Sequence, residues 1–179
     1  MAYNRTVVQF LGGKRVELTQ VFRGLGYLIL ISVSSFLLGR LLPYKLFRYD
    51  RYPFKSFPFE RDGRIYLKLR INKWHNKVPD MSRIFPQMMP SKKMSDDSCQ
   101  TIQVMVYETC VAEAVHWLLC IFALHTLEIW PGLMGWLVML AYIFIGNVPF
   151  CLIQRYNRPR FIKLMNRLEA RKEKESCVH

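Results

Sequence analysis

The sequence lacks several features that mark common soluble proteins. Its five cysteines form no Cys-x-x-Cys pair, which argues against a disulfide framework and against a zinc site. It contains neither a Gly-x-Ser-x-Gly motif nor a Cys-His signature, so a covalent intermediate on the protein is not indicated. Acidic residues are scarce, since 13 Asp and Glu stand against 26 Lys and Arg, and the net charge is +13. A disordered basic tail is nevertheless excluded, because 51% of the residues are hydrophobic.

The apolar residues are gathered in three runs, at residues 24–42, 111–130 and 132–153. A helix needs about 20 mostly apolar residues to cross the hydrocarbon core of a membrane. The third run meets this requirement without any charged residue. The pattern predicts an all-α membrane protein with about three membrane helices, of which the last two form a C-terminal helical hairpin. No small-x-small cleavage site follows the first run, so this run is expected to remain as an anchor, either spanning or re-entrant.

The chain is predicted to form one membrane-embedded domain over residues 1–179. Its segments are an N-terminal segment at 1–23, a membrane segment at 24–43, a cytoplasmic or interfacial segment at 44–107, the helical hairpin at 108–153 and a basic cytoplasmic tail at 154–179. Lys and Arg accumulate on the cytoplasmic side of membrane helices. Residues 40–97 hold 14 of them and the tail holds 8, whereas the link around Pro131 holds none. The sequence therefore predicts a multi-pass membrane protein with the hairpin tip outside and its open end in the cytoplasm.

The middle segment contains two different patterns. Residues 47–59 interleave aromatic and basic side chains, a composition that the lipid headgroup layer favours. The same residue types stack on single-stranded nucleic acid, but three candidate spans favour a membrane, and no nucleic-acid partner is expected. Apolar and polar residues alternate from Ile65 to Asn72 after a turn signal at Asp62-Gly63, which predicts a short β-hairpin. Ser95 or Asp96 is predicted to cap the next helix.

Polar side chains lie within the predicted helical hairpin, where ionisable groups are expensive and tend to mark function. Glu113 and His116 are three residues apart and share a helix face. Folding the hairpin at Pro131 brings His116 opposite Asn147, next to a helix break predicted at Pro149. These groups predict either a functional site or a polar contact that holds two helices together. One Glu-x-x-His copy is too few ligands for a di-iron bundle, so no metal is predicted.

Four blocks of the sequence resemble a known family. They are Phe54-Lys55-Ser56-Phe57 with Phe59-Glu60 and Gly63; Lys73-Trp74 with Lys77 and Asp80; Glu108 with Ala112-Glu113-x-x-His116-Trp117; and Asn147-Val148-Pro149 with QRYNRPR at 154–160. The blocks are similar, in order, to those of the bacterial glycosyl-4,4'-diaponeurosporenoate acyltransferases, which are small membrane enzymes. The resemblance covers residues 40–165 of the chain.

The resemblance implies transfer of a fatty acyl group to a hydroxyl of a lipid-linked sugar, such as a carotenoid glycoside or a related glycolipid. The transfer calls for acyl-CoA or another acyl carrier as co-substrate, and no bound cofactor is expected. The expected partners are membrane lipid, the acyl donor and the lipid-linked sugar acceptor, and the expected location is the bacterial cell membrane with the active site facing the cytoplasm. The alternative is a non-enzymatic small membrane subunit that stabilises a larger lipid enzyme.

Acyl transfer to a hydroxyl needs a base and a donor to the oxyanion. His116 is the predicted base, Glu113 is predicted to orient it and Asn147 to stabilise the oxyanion. Asp80 is the alternative base. The arginines at 155, 158 and 160 either hold the phosphates of the acyl carrier or form an ordinary basic flank. The full set of predicted substrate-binding residues is Lys73, Trp74, Glu108, Gln154, Arg155, Tyr156, Asn157, Arg158 and Arg160.

Overall fold

The structure is a computed structural model that describes residues 7–8, 16–43, 46–74 and 99–176. Its helical elements in chain order are α1 (Leu18–Leu41), a 3₁₀ turn (Pro58–Glu60), α2 (Ile65–Lys68), α3 (Ile71–Trp74), α4 (Cys99–Phe122), a 3₁₀ turn (Ala123–His125), α5 (Thr126–Ile129), α6 (Leu133–Ala141), a π-helical segment (Tyr142–Asn147) and α7 (Val148–Ser176). In the described residues, β1 (Val7–Val8) pairs antiparallel with β2 (Val16–Glu17).

Three helical stretches are long and apolar enough to cross a membrane. They are Leu18–Leu41, Cys99–Ile129 and Leu133–Arg171. This result confirms the predicted helical protein with three candidate spans. The first of them has 24 residues, and at 1.5 Å per residue it is longer than the hydrocarbon core of about 30 Å. The second and third are separated by a turn in which Gly132 has a φ of 87°, a left-handed value that favours glycine.

The β-hairpin predicted from the alternation at residues 65–72 is wrong, because these residues form α2 and α3. A strand would have placed alternate residues on one face. Instead Tyr66 and Ile71 are buried, whereas Leu67 and Leu69 are 43% and 54% exposed. The physical reason is tertiary packing: Tyr66 and Ile71 form a core with two residues of α7, and this burial overrides the local pattern.

The described residues belong to two compact units. The first unit combines Met1–Leu42 with Ala114–Cys151, and the second combines Pro43–Glu113 with Leu152–His179. The predicted division into five segments stays a prediction. The predicted helix caps at Ser95 and Asp96 lie outside the described residues.

In the first unit, α1 contacts the helical hairpin at three levels. Near its start, the Gly24 position faces the indole ring of Trp130, which leaves no room for a Cβ atom. One turn further, the Tyr27 hydroxyl donates to the Phe122 carbonyl at 2.8 Å. Further still, the Ser32 hydroxyl lies 2.9 Å from that of Tyr142. Small and hydroxyl-bearing residues therefore allow α1 to pack closely, as is common between membrane helices.

In the second unit, the middle segment packs on α7. Tyr66 and Ile71 share a core with Ile153 and Tyr156. The turn before α2 approaches the same helix at Gly63, which has a φ of 85° and where an added Cβ would lie 3.4 Å from the Tyr156 carbonyl oxygen. Glycine suits this position because a side chain would be strained there.

Candidate functional site

A polar contact within the first unit joins the two arms of the helical hairpin. His116 Nδ1 on α4 lies 3.0 Å from Asn147 Oδ1. This geometry confirms the predicted proximity of the two residues. Asn147 is 2% exposed, whereas His116 is half-buried and therefore partly accessible. The catalytic roles assigned to both residues from the sequence stay predictions.

The hydrogen bonds of Asn147 determine which nitrogen of His116 carries a proton. The Asn147 amide nitrogen, Nδ2, donates to the Tyr142 carbonyl at 2.8 Å, so the side-chain oxygen is the atom that faces His116. An amide oxygen only accepts hydrogen bonds, hence His116 Nδ1 must donate. In the neutral imidazole the lone pair then lies on Nε2. A neutral His116 can accept a proton at Nε2.

Two further features hold this pair in place. The Phe150 ring stacks on the His116 imidazole with centroids 4.7 Å apart and planes 15° apart. A π-helical segment, Tyr142–Asn147, ends two residues before Pro149, where the sequence predicts a helix break. Proline lacks the N–H that would bond one turn back, and π-helical segments occur frequently at functional sites.

A second polar cluster, in the second unit, surrounds the carboxylate of Glu113. Its Oε1 accepts from Arg155 Nε at 2.7 Å, and its Oε2 accepts from Arg158 Nη2 at 2.6 Å. Glu113 is 1% exposed, so this is a buried double ion pair. These bonds do not test the predicted orienting role of Glu113 toward His116, but they give its two oxygens other partners.

Glu60 completes this cluster and was not predicted as a site residue. It is 2% exposed and accepts hydrogen bonds from Arg155 Nη1 at 2.5 Å, from the Tyr66 hydroxyl at 2.6 Å and from the Phe57 amide at 3.0 Å. Burial and the hydrogen bond to Glu60 raise the pKa of Tyr66 above its ordinary value. The available signal was Glu60 in the first family-like block, because a carboxylate that is buried in a folded chain needs a cationic partner.

Two of the three phenylalanines of that block each face one arginine. The Arg155 guanidinium lies 4.9 Å from the centre of the Phe57 ring, and the Arg158 guanidinium lies 5.7 Å from that of Phe54. Backbone carbonyls complete the arrangement, since Pro53 accepts from Arg155 and Phe54 from Arg158. The block therefore encloses both guanidinium groups.

The arginines predicted to hold phosphates differ in their accessibility. Arg158 is 2% exposed, and besides Glu113 it donates to the hydroxyl and the carbonyl of Thr109 at 2.9 Å each. The Arg155 side chain is 11% exposed. Arg160 is exposed, with its guanidinium 3.6 Å from the centre of the Tyr156 ring. Phosphate binding is not tested by these contacts, but internal partners occupy most of the donors of Arg158.

The other predicted substrate-binding residues are distributed over the second unit. Lys73 is exposed on α3, and the Trp74 indole donates to the Leu69 carbonyl at 3.1 Å. The remaining ones lie on α4 and α7 and are buried or half-buried: Glu108, Gln154, Tyr156 and Asn157. The alternative base, Asp80, lies outside the described residues. Within those residues, no three His, Cys, Asp or Glu side chains converge as metal ligands.

Comparison with known proteins identifies the family. A family model described as glycosyl-4,4'-diaponeurosporenoate acyltransferase matches residues 48–167. The chain belongs to this family. It is accordingly an acyltransferase, which confirms the resemblance given by the four blocks and the predicted enzyme class, and disfavours the non-enzymatic subunit.

Individual relatives of this acyltransferase carry the same description. Proteins named glycosyl-4,4'-diaponeurosporenoate acyltransferase from Staphylococcus aureus strains bovine RF122 / ET3-1 and USA300 are each 31% identical over 149 residues, which is 83% of this chain and 89% of the relative. The protein of that name from strain MRSA252 is 30% identical over the same length. No solved structure matches the chain.

Proposed function

We propose that this acyltransferase lies in the bacterial cell membrane and moves a fatty acyl group from a thioester donor to a hydroxyl of a lipid-linked sugar, such as a carotenoid glycoside. The names of the relatives support a carotenoid glycoside as the acceptor. The three apolar helices support a membrane location, where a lipid-linked acceptor is found. The distribution of Lys and Arg supports an active site that faces the cytoplasm.

The observation that carries the proposal is the hydrogen bond between His116 and Asn147. It leaves Nε2 of the neutral imidazole as the acceptor of the hydroxyl proton. An amide that holds the other ring nitrogen of a catalytic histidine is a known arrangement in acyl-transfer chemistry, where the third group fixes the tautomer and the orientation of the ring. Asn147 is thus a positioning residue for His116 in this proposal.

The reaction then balances in two steps. His116 Nε2 takes the proton of the acceptor hydroxyl as the oxygen attacks the thioester carbonyl, forming a C–O bond. The C–S bond breaks when the tetrahedral intermediate collapses, and the protonated imidazole returns its proton to the leaving thiolate. The products are an ester and a free thiol. Asn147 as oxyanion donor stays a prediction, because its amide nitrogen already donates to Tyr142.

The cluster around Glu113 has a different role in the proposal. Its two carboxylates and two guanidinium groups balance in charge and are buried. Their ion pairs attach the segment at residues 53–66 to α4 and α7. A buried and fully paired cluster fixes one arrangement of its elements, because any other arrangement leaves a buried charge without a partner.

The test is a comparison of the membrane lipids of cells with and without the gene by mass spectrometry. We expect an acylated glycolipid to disappear on deletion, its unacylated precursor to accumulate, and a plasmid copy of the gene to restore the ester. The purified protein in lipid nanodiscs should form the same ester from the isolated precursor and an acyl thioester. Unchanged glycolipids after deletion, together with no transfer by the purified protein, would count against the proposed function.

A further inference from the structure

Recognition of the charged part of an acyl donor is not explained by the cluster around Glu113. Arg158 is buried and Arg155 nearly so, and both donate to carboxylates and carbonyls of their own unit. Exposed cations are better suited than these two arginines to recognise a donor that carries negative charge. α7 continues past these arginines to Ser176 and has an exposed face there.

That face carries a row of cations, which we call the basic stripe. All of its members are exposed, and they are Arg160, Lys163, Arg167, Arg171 and Lys174. Their spacing of three or four residues keeps them on one side of a helix with 3.6 residues per turn. Glu169 and Glu173 lie on the other side by the same arithmetic. The stripe presents cations over about 21 Å at 1.5 Å per residue.

The length of the stripe does not suit a nucleotide-based donor. The phosphates of such a donor lie close together and are bound by guanidinium or amide groups that converge on them. Successive members of the stripe instead follow the helix axis. The two ends of the stripe are further apart than the Debye length of about 8 Å at physiological ionic strength, so they do not act on the same small group of charges. An extended partner with several separate negative charges matches this spacing.

The surroundings of the stripe do not suit insertion into lipid. A helix that lies in a membrane interface exposes large apolar side chains next to its basic residues. In the described part of the tail no large hydrophobic residue is exposed, since Met165 is buried and Phe161, Leu164 and Leu168 are half-buried. The exposed surface here is charged and polar, as at the rim of a protein interface.

We propose that the acyltransferase receives its acyl chain from a small acidic carrier protein, which binds the basic stripe and bears the chain as a thioester. The inference rests on the proposed function and names the donor class for it. The same bonds form and break as above: the thioester C–S bond is replaced by the C–O bond of the ester, and the proton of the acceptor ends on the thiol of the carrier protein. The stripe binds the carrier and takes no part in the chemical step.

The test measures binding and transfer separately, with the full-length protein in nanodiscs. The probes are a fluorescently labelled acyl carrier protein loaded with a fatty acid, and acyl-CoA of the same chain length. The stripe variant is Lys163→Glu with Arg167→Glu. The control variant is Lys55→Glu with Arg61→Glu, two exposed residues of the same unit that give the same change in net charge. Binding is followed by fluorescence anisotropy at several salt concentrations and in nanodiscs with and without anionic lipid.

We expect the stripe variant to raise the Kd and the apparent KM for the loaded carrier at least about tenfold, with kcat at saturation unchanged, because interface charges act on association. The control variant and transfer from acyl-CoA should change less than twofold. The inference is overturned if the carrier does not bind, if both variants bind it alike, or if the stripe variant alters only the response to anionic lipid. Stripe-dependent binding without transfer from either donor would refute the proposed function, and with it the carrier as acyl donor, although the docking site would stand. Transfer from acyl-CoA without carrier binding would overturn the inference alone.

Discussion

Replacing Glu113 by alanine should destabilise the protein strongly. The carboxylate is 1% exposed and bonds two guanidinium groups at 2.6 and 2.7 Å. Without it Arg155 keeps Glu60, but Arg158 keeps only hydroxyl and carbonyl acceptors among the described residues. Removing one partner of a buried ion pair typically costs about 3–5 kcal/mol, because the remaining charge stays buried without compensation.

Thermal unfolding in a fixed detergent measures this loss. For a chain of this length, 1 kcal/mol corresponds to about 2–4 °C, so the melting temperature should fall by about 6–20 °C. Glu128→Ala is the matched control. The Glu128 side chain is 77% exposed, so its ion pair with His125 should contribute less than about 1 kcal/mol to stability. A melting temperature for Glu113→Ala within error of that control would refute the role assigned to the cluster.

Two further outcomes are expected. Burial and the hydrogen bond to Glu60 raise the pKa of Tyr66, so the folded protein keeps a proton that the unfolded chain releases above a pH of about 10. The free energy of unfolding should therefore fall as the pH rises past that value. In Tyr66→Phe it should fall less steeply. Equal slopes would contradict this. In a cysteine-free variant, a cysteine introduced at Leu133 should react with a membrane-impermeant reagent only from outside, and one at Lys73 only from the cytoplasm. Labelling of the Leu133 position only from inside would contradict the predicted orientation.

The sequence was sufficient where one physical property dominates. Apolar length alone predicts the three candidate spans, since a helix in lipid must satisfy its backbone hydrogen bonds internally. The contact of His116 with Asn147 followed from folding the hairpin at Pro131, because a short turn fixes which residues lie opposite each other. The position of Asn147 along the hairpin does not predict which atom of its amide faces His116. That depends on the Tyr142 carbonyl inside the π-helical segment, to which the amide nitrogen donates.

The sequence was insufficient where long-range packing decides. The alternation before Asn72 predicted a strand, but burial of Tyr66 and Ile71 against α7 selects helical turns. Glu60 and Arg155 are 95 residues apart, and no local pattern pairs them. The three arginines of the 154–160 block looked equivalent as cations, yet the helix turns Arg158 into the protein and Arg160 outward.

The central claim is that His116 takes the proton of the acceptor hydroxyl, and His116→Gln tests it most directly. A glutamine amide can still donate to Asn147 but cannot accept the proton, so contact and basicity are separated. General-base help is typically worth about 10²–10⁴-fold. His125→Gln is the control, because His125 is half-exposed and pairs with Glu128 instead. The turnover of purified His116→Gln should therefore fall by about 10²–10⁴-fold with an unchanged melting temperature, while His125→Gln retains activity. Near-full turnover in His116→Gln would contradict the account and leave the histidine as a contact between helices.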